Sequence, residues 1–164
     1  MVSDTPTVRV RGLVVPELLL RLLHRGAWRH PGEDALARTM PWFADELDFL
    51  ATVHDMERRS GALDHLVEDE TTAHIFSLVR GSPTAPVSLP WLDVDKAFFI
   101  AVAKYAGDDT AVALDYRTNA SDPRVVASDI WTEPSRMSWR VVAPAFSSLI
   151  DELGLLLDED SGFA

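Results

Sequence analysis

Four aspartates have the spacing that most invites chemistry. Asp93 and Asp95 precede the apolar run 98–103, and Asp108 and Asp109 follow it. Carboxylates gathered from two such ends could hold a divalent cation and activate a water on it, as a metal-assisted hydrolase does. Asp93-Val94-Asp95 also starts the alternating oxygen pattern of a calcium loop, but the distal glutamate of such a loop does not follow. Asp108 and Asp109 come directly after Gly107, where aspartate is favoured because its side chain accepts bonds from nearby backbone N–H groups. Turn chemistry therefore explains these carboxylates better than a metal, and no metal site is expected.

The other reactive residue types are scattered. The five histidines at 24, 30, 54, 65 and 74 form no His-Glu-x-x-His motif. Zinc needs three or four converging ligands. Ser3, Ser60 and Ser135 read as loop serines with no nominated base, and there is no Gly-x-Ser-x-Gly elbow, phosphate loop or dinucleotide fingerprint. No catalytic residue, no cofactor and no enzymatic activity are expected. Five tryptophans remain. Trp42 and Trp139 fit core positions. Trp28, Trp91 and Trp131 fall in loops or at element ends, where an aromatic either plugs the core edge or anchors a partner. The residues nominated for contact with a partner are Trp91, Asp93, Asp95, Asp108, Asp109 and Trp131.

Several elements must position these groups. Residues 1–14 read as an extended lead-in. A helix runs from Pro16, suited to a first turn, to Gly26, suited to a helix end, with Leu18, Leu19, Leu22 and Leu23 on its apolar stripe. Residues 28–32 form a turn. A longer helix is predicted from Pro41, because Trp42, Phe43, Phe49, Leu50, Val53 and Met56 recur at three- and four-residue intervals, with acids near its start and Arg58 and Arg59 near its end. Ser60-Gly61 breaks it, and residues 62–67 add a short helical turn. Thr, Ile, Phe and Val over 71–80 predict a strand. Residues 81–90, with three prolines, are a loop. Then come a hairpin of 98–103 and 110–114 around Ala106-Gly107-Asp108-Asp109, two strands near 124–127 and 138–142, and a helix over 144–157. Residues 158–164 are an acidic tail. Arg117, Arg136 and Arg140 are expected to make surface pairs with local acids, which stabilise by only ~0–1 kcal/mol each.

Composition bounds the partners. The net charge is −11, with thirteen acidic against nine basic residues over 1–82 and thirteen against six over 83–164. Such a surface repels phosphate backbones, which disfavours nucleic acid, and would steer the chain toward a basic protein. The most apolar early run, 13–23, contains Pro16, Glu17 and Arg21 and is too short to span a bilayer. No basic leader region precedes it, so no membrane partner and a cytoplasmic location are expected. The absence of cysteine excludes disulfides. Arginine outnumbers lysine 13 to 2, the usage of GC-rich bacterial genomes.

The order of the last third resembles the SUKH superfamily (Syd, US22 and Knr4 homology), which includes bacterial immunity proteins and a fungal cell-wall regulator. The residues carrying the resemblance are Phe99-Ile100-Ala101 leading to Gly107-Asp108, Ala113-Leu114-Asp115-Tyr116-Arg117, Pro123-Arg124-Val125, and Trp139 ahead of Ala143-Pro144-Ala145-Phe146. They span about residues 90–157, and the N-terminal part, with Trp28 to Gly32 and Pro41-Trp42-Phe43, departs from the usual pattern. The resemblance implies one α+β domain over residues 1–164: N-terminal helices, a mixed and mostly antiparallel sheet, and a C-terminal helix packed on it. It also implies a non-catalytic protein-binding role, as an immunity protein that neutralises a toxin or as a housekeeping regulatory or scaffold module.

Overall fold

The computed structural model describes residues 7–81, 89–105, 110–132 and 137–155. The lead-in is a tight hairpin, β1 (Arg9–Val10) with β2 (Leu13–Val14). Its two turn residues, Arg11 and Gly12, both have positive φ, 53° and 78°. That is the turn whose twist matches an antiparallel pair. Helix α1 (Glu17–His24) follows as the sequence predicts, with Pro16 at its N-cap and Leu19 and Leu22 fully buried.

The helix expected from Pro41 does not form. The chain instead makes α2 (Glu33–Thr39), strand β3 (Leu47–Phe49) and α3 (Val53–Ser60). Two local facts explain the correction. The Thr52 side chain accepts a hydrogen bond from the Asp55 N–H at 3.0 Å, so a helix N-cap sits in mid-run. Residues 47–49 meanwhile complete a sheet edge, a tertiary pairing that overrides the helical period. Helix α4 (Ala62–Glu68) extends the short turn predicted there.

The strand expected over 71–80 is mostly helix α5 (Glu70–Ile75). Asp69 caps it, accepting from the Thr71 and Thr72 N–H groups, and this outweighs the β-propensity of the threonines. Only β4 (Leu78–Val79) is extended, and it pairs in parallel with β5 (Leu92–Asp93).

A 3-10 turn (Val94–Lys96) then leads into β6 (Ala97–Ala103), β7 (Ala111–Asp115), β8 (Arg124–Asp129) and β9 (Ser138–Ala143). These four form a meander, extended by β3 into an antiparallel sheet of order β3-β6-β7-β8-β9. Every residue of β6 and β7 is buried, so these strands are covered on both faces and show no polar alternation. The last helix, α6 (Phe146–Leu153), begins after Pro144 rather than at it and stops at Gly154, in the left-handed region at φ 69°. Phe146, Leu149, Ile150 and Leu153 are its buried face. The architecture is α+β, with the C-terminal helix on the sheet.

Ile100 lies where the β6–β7 register shifts, between Phe99 and Ala101. Ser60, buried at the end of α3 rather than in a loop, accepts from the Phe99 N–H at 2.8 Å. The Ile100 carbonyl accepts from the Leu50 N–H at 3.0 Å and the Trp28 indole N–H at 3.2 Å. Trp28 is therefore a core plug. Its ring lies 4.6 Å from that of Phe49 and 5.8 Å from that of Phe146. Because Phe146 is fully buried in this cluster, Phe146→Ala is expected to lower stability by about 3–5 kcal/mol, read from urea unfolding midpoints.

Candidate functional site

Two of the nominated carboxylates, Asp93 and Asp95, are engaged within the fold. Asp93 is buried and its Oδ1 accepts from the Gly81 N–H at 2.9 Å and the Asp95 N–H at 3.0 Å, capping the 3-10 turn. Asp95 pairs with Arg80 at 2.9 Å. Arg80 also reaches Asp64 at 2.8 Å, and Asp64 holds both terminal nitrogens of Arg11 at 3.0 Å. This chain of four charges ties the N-terminal hairpin to α4 and to the start of β6. Arg11 and then Arg80, bonded to Asp64, hold its carboxyl far below the ordinary aspartate value of 3.8. Asp108 and Asp109 lie outside the described residues, as do Ser3, Ser135 and Arg136. Among the described residues no three His, Asp or Glu side chains are grouped to hold a metal ion.

The tryptophans lead elsewhere. A groove of about 620 Å³ opens between α5, the Pro90–Trp91 segment and the facing ends of β8 and β9. His74 and Ile75 line one wall, Trp91 another, and Asp129, Met137 and Arg140 the rest. Trp91 is half-buried, with its ring 6.2 Å from that of His74. Ile75 is 43% exposed. Trp131 is 44% exposed and sits in the chain between two lining residues, Ile130 aside, immediately before Thr132 and two after Asp129. Of the nominated residues Trp91 lines the groove, Trp131 neighbours it in the chain without lining it, and Asp93 and Asp95 belong to hydrogen-bond and ion contacts within the fold.

Asp129 sets the shape of this end. Its Oδ1 accepts from the N–H groups of Trp131 at 3.0 Å and Thr132 at 3.1 Å, and its Oδ2 accepts from Arg140 Nε at 2.7 Å. Burial alone would raise its pKa; the bonds from Thr132 and Trp131 and the Arg140 charge prevail and hold it below 3.8. The Arg140 guanidinium in turn lies 5.5 Å from the centre of the Trp42 ring. Trp42 is itself half-buried rather than a full core residue, and its buried indole N–H has no hydrogen-bond partner among the described residues.

Behind the groove is a buried ion triad that sequence reasoning missed. Asp115 is completely buried, with its Oδ1 3.0 Å from Arg117 Nε and its Oδ2 2.8 Å from Arg124. Arg117 is only 3% exposed, so it is no surface partner, and its Nη2 donates to the Trp91 carbonyl at 2.6 Å. The available signal was a charge ending the all-apolar strand 111–115, since a charge buried there needs a partner.

Two outcomes follow from these contacts. Replacing Asp115 by Ala leaves two buried guanidinium groups and is expected to cost about 3–5 kcal/mol in urea unfolding. Asp64 and Asp129 both titrate lower in the folded chain than in the unfolded one, so the stability they contribute is complete above 3.8 and fades as pH falls below it. Urea midpoints should drop in that acid range, and Asp129→Asn should drop less steeply than the parent. No family model, no curated protein and no solved structure matches this chain.

Proposed function

We propose that the chain is a non-catalytic, SUKH-type binding protein that acts in the cytoplasm as an immunity protein, seating a basic toxin domain on the groove beside α5 and β9. What carries this reading is the convergence of Trp91, Ile75 and Met137 in one groove, with the exposed Trp131 next to the lining residue Thr132 in the chain. Aromatic side chains at the centre of a wet-rimmed patch are the usual anchors of protein interfaces.

Charge selects the partner. Glu68, Asp69 and Glu70 are exposed at the start of α5, about 8 Å along the helix from the groove wall at its other end. With a chain charge of −11, they favour encounter with a basic surface and raise its association rate. The edge of the sheet lies here too, since among the described residues β9 has a strand partner on one side only. Part of that edge is closed, because the Trp139 N–H donates to the Pro90 carbonyl at 3.2 Å.

The test is capture of partners by the tagged full chain, followed by titration of the captured protein with variants. A stoichiometric basic partner with a toxin domain is expected. Trp131→Ala should weaken its binding ten- to thirtyfold, roughly the loss of one interface anchor, while the melting temperature stays within a degree or so of the parent. A partner bound equally well by Trp131→Ala and Ile75→Glu would remove the groove from the reading, and a partner of regulatory kind would replace the immunity role by a housekeeping one.

A further inference from the structure

The chain has no cysteine, so all of its sulfur is carried by four methionines. Two of them are sealed in the core, Met40 at 3% exposure and Met56 at 0%. Met1 lies outside the described residues. Met137 is different. It comes immediately before β9, is only half-buried, and lines the groove together with Trp91 and Ile75. Among the described residues it is the one methionine not enclosed by the core. With no thiol in the chain to react first, an oxidant that attacks sulfur meets this thioether.

Its position makes that reactivity consequential. The apolar lining of the groove is Ile75, Pro90, Trp91 and Met137, while the charges of Asp129 and Arg140 are paired with each other at 2.7 Å. A thioether suits such a wall because it is flexible and polarisable, and fits anchors of differing shape. The backbone at this point is held independently of the side chain. The Met137 carbonyl accepts from the Ser77 hydroxyl at 3.3 Å, and Ser138 stands opposite Asp129 in the β8–β9 register. A change confined to the thioether therefore alters the groove wall and leaves the strand pairing in place.

We propose that Met137 is a redox-sensitive modification site, oxidised by hydroperoxides ahead of Met40 and Met56, and that its sulfoxide closes the groove to apolar anchors. The sulfur lone pair attacks one oxygen of hydrogen peroxide. An S–O bond forms, the O–O bond breaks, and the departing hydroxide takes the proton of the attacked oxygen to leave as water. The thioether loses two electrons and the peroxide gains them. The product sets a polar S–O group where an apolar chain stood, and methionine sulfoxide reductases can restore it. The site stands on burial and on the absence of thiols; its effect on recognition rests on the groove being the face that binds.

The full chain is treated with hydrogen peroxide, cut with trypsin and read by tandem mass spectrometry for one added oxygen. Trypsin isolates Met137 in the peptide 137–140 and keeps Met40 and Met56 together in 39–58. Met137 is expected to take up oxygen about tenfold faster than the other two, while the melting temperature of the singly oxidised chain stays within a degree or so of the parent. A phage-displayed library of random peptides is then selected on the untreated chain. The selected peptides should bind the oxidised chain and Met137→Gln about tenfold more weakly, and Met137→Leu as they bind the parent, before and after peroxide. Equal oxidation of the three methionines overturns the proposal, as does equal binding to the oxidised chain of peptides that Ile75→Glu releases. Peptides that Ile75→Glu also retains bind outside the groove, which removes the groove as the binding face while the digest alone decides the oxidation site.

Discussion

A charge placed where water cannot reach must find its counter-charges inside the fold, and Asp115 imposes that condition on the second half of this chain. It sits opposite Arg124 in the register of β7 and β8, so the pair is made as the two strands align. Arg117 then has to fold back over the turn to complete the carboxylate's bonds, and in doing so it clamps the Trp91 carbonyl. The Trp91 backbone is therefore held by an ion cluster at the end of a strand as well as by the ring's own contact with His74. A buried cluster of this kind specifies one arrangement more than it adds net stability, because desolvation offsets most of the attraction.

The register shift at Ile100 does comparable work on the other side of the sheet. There the Ile100 carbonyl accepts from Leu50, which carries the β3–β6 register one pair further, and from the Trp28 indole, while the Phe99 N–H donates to Ser60. Through these bonds the N-terminal segments are fixed to β6 by directional contacts as well as by apolar packing. The hairpin β1–β2 is tied down separately, by Arg11 on Asp64 and by the Tyr116 hydroxyl on Val14. The groove likewise has walls drawn from segments far apart in sequence, held by polar bonds at named atoms.

The last third of the chain was legible because its signals are local. The runs at 98–103 and 110–114 are continuous and apolar, turn residues separate the strands, and Phe146, Leu149, Ile150 and Leu153 keep a helical period. The middle was not. Trp42, Phe43, Phe49 and Leu50 repeat as a helix would, yet residues 47–49 pair with β6, a partner that lies more than fifty positions away and leaves no local trace. Thr52 and Asp69 were readable as caps, and giving them more weight than propensity would have found α3 and α5. Of the site, the choice of Trp91 and Trp131 rested on loop position. The role of Asp115 and its two arginines needed the knowledge that the strand around it is buried on both faces.

Strand order has a consequence for how the chain is assembled. Strands β6 to β9 each pair with their neighbour in sequence and close through short connections, whereas Leu47 must find Ala103 across a much longer stretch of chain. Loop-closure entropy makes the meander the cheaper structure to form and the docking of β3 the slower step. Until that step, the side of β6 along Ala101 to Ala103 is an uncovered row of backbone donors and acceptors, an edge that other chains could extend. The three residues of β3, with Asp48 exposed at their centre, cover that row and leave a charge on the sheet's outer strand.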